Sequence, residues 1–107
     1  MTDKRIVFTT AASHEQAKTL ANALVTRRLA ACVNILGPME SVYRWKGDVE
    51  NEQEFLFIIK STENQFPALR AAIRELHSYE IPECVEIAIE NGTPEYLEWI
   101  GESVTGL

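Results

Sequence analysis

Strand, helix, strand, strand, helix, strand, helix is the order of elements that this sequence predicts, and that order defines an α+β sandwich. Three observations carry the expectation. Runs rich in β-branched and aromatic residues alternate with segments whose apolar positions repeat at helical spacing. Capping residues stand at the head of each helical segment. Two long strands flank a single glycine turn near the middle of the chain. Two strand–helix–strand halves joined through that turn make a ferredoxin-like sandwich (βαββαβ) of four antiparallel strands with two helices on one face. A long central hairpin and an added C-terminal helix complete the expectation, as one domain over residues 1–107.

Ile6-Val7-Phe8-Thr9-Thr10 is a short β-rich run and gives the first strand. Ser13-His14-Glu15-Gln16 then reads as a capping box, with Ser13 as the N-cap. Ala17, Leu20, Ala21, Leu24 and Val25 follow on one helical face, and Arg27 and Arg28 close the helix where positive charge suits its dipole. Ala30–Ile35 opens the second strand. Gly37-Pro38 interrupts it, because proline cannot donate to a ladder, and a bulge is expected before pairing resumes at Ser41.

The hairpin is the most informative stretch. Ser41 to Lys46 alternates, with Tyr43 and Trp45 on one face and Val42, Arg44 and Lys46 on the other. Lys46-Gly47-Asp48-Val49 supplies the turn. Phe55-Leu56-Phe57-Ile58-Ile59, bounded by Glu54 and Lys60, is apolar on both faces. An antiparallel sheet normally leaves one face polar and wet. A chain this short has little left to cover a second apolar face, so another copy of the chain is the expected lid.

Asn64 is the expected cap of the second helix, with Pro67 in its first turn and Phe66, Leu69, Ile73 and Leu76 at helical spacing. Cys84–Ile89 alternates as the fourth strand, and Asn91-Gly92 turns the chain. Thr93-Pro94-Glu95 then starts a last helix striped by Leu97, Ile100 and Val104, with Tyr96 and Trp99 alongside.

Composition narrows the function. Hydrophobic residues make up 46% of the chain, which excludes disorder. Lys plus Arg total 10 against 16 Asp plus Glu, a net charge of −6, which disfavours nucleic acid as a partner. No run is long enough to span a bilayer as a helix. Cys32 and Cys84 lack the CxxC spacing, and free thiols in a reducing cytoplasm are expected.

The stretch with possible chemistry is His77-Ser78-Tyr79-Glu80-Ile81-Pro82-Glu83, between the second helix and the fourth strand. An imidazole and two carboxylates on one loop could supply nitrogen and oxygen ligands to a divalent metal, making His77, Glu80 and Glu83 the candidate set. His77 also stands where a histidine favourably caps a helix C-terminus. The spacing alone leaves both roles open.

Ala30–Ile35, Ser41–Gly47 with Glu50, Ile59–Thr62, and His77–Glu83 together resemble the CutA family of divalent-cation-tolerance proteins, in collinear order from about Thr9 to Trp99. Ser78 stands where the family usually has proline, and Thr9 and Thr10 stand where some members carry a cysteine. The resemblance implies a cytoplasmic homotrimer with the hairpin packed across neighbours, linked to copper and other divalent ions, with no catalytic reaction and no required cofactor. Tyr43, Arg44, Trp45, Lys60 and Tyr79 are then candidates for the subunit interface or its cleft. An alternative is PII-like signalling, with a small anion or nucleotide in that cleft and Lys60 and Arg44 supplying charge. An acylphosphatase-like enzyme on the same fold needs an arginine and a loop of backbone N–H groups. Ala11-Ala12-Ser13-His14 provides no arginine or glycine for it.

Overall fold

The computed structural model describes residues 2–104. Its elements are β1 (Lys4–Ala11), α1 (His14–Thr26), β2 (Cys32–Trp45), β3 (Asp48–Thr62), α2 (Phe66–Leu76), β4 (Val85–Ala88) and α3 (Pro94–Ser103). The strands form one sheet in the order β2-β3-β1-β4 with every neighbouring pair antiparallel. This is the ferredoxin-like order that the sequence predicts.

Period two decides which face each strand residue joins. Odd-numbered Val7, Thr9 and Ala11 on β1 and Phe57, Ile59 and Ser61 on β3 are buried, and the apolar ones join Leu20, Leu24, Leu69 and Ile73 of α1 and α2 in the core. Even-numbered Ile6, Phe8, Leu56 and Ile58 lie on the opposite face and are only half-buried. The apolar run of β3 therefore does serve two faces. Helix α3 packs on β1 and β3 and buries Ile100 and Val104. Gln65 Nε2 holds its end by donating to the carbonyls of Val104 and Arg28.

The break at Gly37-Pro38 is a register shift between Leu36 and Met39. Gly37 has φ +148°, and a Cβ there would lie 2.8 Å from Phe55 Cδ2 and 3.0 Å from the Glu54 carbonyl oxygen, so only glycine fits. The shift also exchanges the parity of β2. Below it Cys32, Asn34 and Leu36 share the face of Leu56 and Ile58, whereas above it Met39, Ser41, Tyr43 and Trp45 do. Beyond the bulge β2 and β3 continue as a two-stranded arm to a two-residue turn, Lys46-Gly47. Both turn residues have positive φ, the sign pattern of the type I′ turn that suits hairpin twist. The arm gives the molecule its long axis, 44 Å against 25 and 22 Å.

Local chemistry differs from expectation at three places. Ser13 Oγ accepts from the Gln16 N–H at 3.1 Å, but among the described residues the return bond from the Gln16 side chain is not made. Gln65, not Asn64, is the N-cap of α2, and its side chain is occupied at the end of α3 instead of capping. β4 is shorter than Cys84–Ile89, although Ile89 N–H still donates to the Lys4 carbonyl.

Candidate functional site

Helix α2 ends at His77, whose backbone N–H bonds the Ile73 carbonyl. The imidazole turns inward. Nδ1 accepts from the Tyr79 N–H at 3.0 Å, which requires its lone pair, so the ring proton sits on Nε2 and is donated to the Thr10 carbonyl of β1. The Tyr79 ring lies against the imidazole with centroids 4.4 Å apart. Its hydroxyl donates at 2.7 Å to Glu54 Oε2 on β3. One chain of contacts, Thr10–His77–Tyr79–Glu54, thus staples the loop after α2 across two strands.

That staple forms one wall of a cavity of about 810 Å³. The arm forms another, through Met39, Ser41, Tyr43 and Trp45, and the loop contributes Tyr79, Glu80 and Glu83. Glu54 lies at its base and is only 8% exposed. No Lys or Arg lines the cavity among the described residues. Burial first, then the hydrogen bond to Glu54 and its negative charge, pushes the Tyr79 hydroxyl far above the ordinary tyrosine range. Partial desolvation and the fields of Glu52, Glu54 and Glu50 push Tyr43 the same way. Negative potential is the electrostatic signature of this cavity.

The expected metal set is not assembled. Among the described residues no group of three or more His, Cys, Asp or Glu side chains could hold a metal ion. Both nitrogens of His77 are engaged within the fold, so it takes the structural role at the helix end. Glu80 reaches out to Lys46 Nζ at 3.8 Å, and Glu83 lies along the cavity wall. Thr9, at the position where a first-strand cysteine was in question, faces the core with its hydroxyl buried and without a hydrogen-bond partner.

The interface and cleft candidates separate into two groups. Tyr43, Trp45 and Tyr79 meet at the cavity. Arg44 is on the opposite face of the arm, donating to the Gly47 carbonyl at 3.2 Å, and Lys60 bonds Asn34 on the sheet. The two cations that an anion would need do not converge. Glu54 is the residue that sequence reasoning missed as part of the site. Its signal was there, since period two puts it on the same face as Leu56 and Ile58.

Below the cavity the same face stays open. Leu36, Leu56, Ile58, Phe8, Val85 and Ile87 form an apolar surface across all four strands, and Leu36, Val85 and Ile87 are 46%, 50% and 51% exposed. A ferredoxin-like fold with one sheet face under helices, the other bare, and an arm projecting past it is the class of protein that these observations define. Comparison with known proteins narrows this class. The family described as "CutA1 divalent ion tolerance protein" matches residues 5–103, and the chain belongs to it. A divalent-cation tolerance protein CutA of Thermus thermophilus is 45% identical over 100 residues, 94% of this chain and 97% of that protein. The mouse Protein CutA is 41% identical over 87% of this chain, which spans only 52% of its length. Among solved structures, the Thermus thermophilus protein superposes with a TM-score of 0.92 at 44% identity, covering 94% of this chain and 98% of that one. The CutA structure of Xylella fastidiosa gives 0.93 at 35% identity, covering 95% and 98%.

Proposed function

We propose that this chain is the subunit of a homotrimer that acts as a cytoplasmic, non-enzymatic binding or sensing protein in divalent-cation tolerance, with copper among the ions concerned. The observation that carries the reading is the bare apolar sheet face running into a ligand-sized cavity beneath the arm. The arm of one copy and the face of another are different surfaces, and a heterologous contact between them makes a ring where the rotation per copy closes. Three is the smallest such ring, and the cavity then lies where copies meet. The half-buried free thiols of Cys32 and Cys84 suit a reducing compartment.

A metal ion in this assembly is held by groups from more than one copy, since the described residues of one chain present no ligand set of three or more His, Cys, Asp or Glu side chains. The cavity combines aromatic rings with carboxylates, a lining suited to holding a ligand. Light scattering at micromolar concentration tests the assembly, with an expected mass three times the 12.1 kDa subunit. Thermal unfolding with and without copper then tests the ligand, because an ion bound only by the native state raises the midpoint. A monomer would remove the ring, and an unchanged midpoint across copper concentrations would remove the metal.

A further inference from the structure

We infer that the cavity under the arm is a binding site for a small organic ammonium ion. The inference rests on the reading of this cavity as the ligand site of a binding protein, and adds the chemical class of ligand. Three observations converge. Tyr43, Trp45 and Tyr79 all line the cavity, and aromatic faces attract cations through the ring quadrupole. Glu54, more than nine-tenths buried at its base, has no cationic partner among the described residues. Its Oε2 accepts from the Tyr79 hydroxyl at 2.7 Å, and the residue is part of the cavity lining. A cation entering the cavity therefore meets a carboxylate whose charge no Lys or Arg of the lining offsets.

The third observation is a stand-in within the chain itself. The Lys46 ammonium lies 5.5 Å from the centroid of Trp45 and 3.8 Å from Glu80. An alkylammonium thus lies beside a ring and a carboxylate that both belong to the cavity lining. Both partners of that ion pair are well exposed, so the pair is weak and readily opened by a competing cation. A ligand reaching deeper meets Glu54, Tyr43 and Tyr79 together. Hard metal ions prefer several oxygen ligands at short range, whereas this cavity offers scattered carboxylates and broad aromatic walls. That combination fits a bulky, softly hydrated cation.

The test is calorimetric titration of the full-length protein with choline and with its uncharged isostere, in which carbon replaces the quaternary nitrogen. Light scattering on the same samples reports the assembly. Choline is expected to bind about tenfold or more tightly than the isostere. Glu54→Gln keeps the shape and a partner for Tyr79 but removes the charge, and is expected to weaken choline binding by about tenfold. Lys46→Ala, at an exposed position, is expected to leave the fold intact and to tighten choline binding, because it removes the internal competitor. Equal binding of choline and the isostere would make the cavity a plain apolar hollow and overturn the inference. So would no detectable choline binding, or weaker binding in Lys46→Ala. A trimer that ignores choline overturns only this inference, while a monomer overturns the proposed assembly whatever it binds.

Discussion

Tyr79→Phe isolates the contact that closes the site. The substitution keeps the ring against His77 and removes only the hydroxyl that donates to Glu54 at 2.7 Å. Glu54 is 8% exposed, so water replaces the lost donor poorly. A hydrogen bond to a charged acceptor contributes about 1.5–3 kcal/mol, and this partly buried geometry places the loss within that range. The effect also has a pH signature. The folded protein holds the Tyr79 hydroxyl protonated well above the unfolded value of about 10, so its contribution is fully present below that pH. As pH rises past about 10 the unfolded chain releases the proton while the folded chain keeps it, and wild-type stability falls. Phenylalanine cannot titrate, so the gap between the two proteins should narrow there. Urea unfolding at pH 8 and pH 10.5, at one protein concentration, reads both effects. A gap below about 0.5 kcal/mol at pH 8, or one that does not narrow, would refute the role assigned to this bond.

Thr9→Val removes a buried hydroxyl that has no partner, and should leave stability unchanged or raise it by about 1 kcal/mol in the same unfolding experiment. Gly37→Ala places a Cβ 2.8 Å from Phe55 Cδ2 at a φ of +148°, and should destabilise by more than about 1 kcal/mol, read as a lower urea midpoint. Ile73→Ala empties a fully buried core position and should cost about 2–5 kcal/mol. Ile87→Asp puts a charge on the open sheet face at a site half-exposed in the single chain. Circular dichroism should then report an intact fold while light scattering reports a smaller assembly, and an unchanged mass would place the subunit contact elsewhere.

The sequence by itself determined the elements and their order, because each rests on chemistry between near neighbours. Ser13 caps α1, Gly47 turns the arm, and the Gly37-Pro38 break shifts the register of β2. Alternation through Phe55–Ile59 told that two faces need cover, since a strand's side chains point alternately up and down whatever the fold around them. Tertiary structure decided the site. His77 bonds a carbonyl 67 residues away, and Tyr79 a carboxylate 25 residues away. Such contacts leave no periodicity to read. Loop composition offered His77, Glu80 and Glu83 as one ligand set, yet a side chain's direction in a loop is chosen by whichever distant partner offers it the better bond. His77 turned to Thr10, Glu80 to Lys46, and Glu54, which bounds an apolar run in the sequence, is the buried carboxylate of the cavity lining.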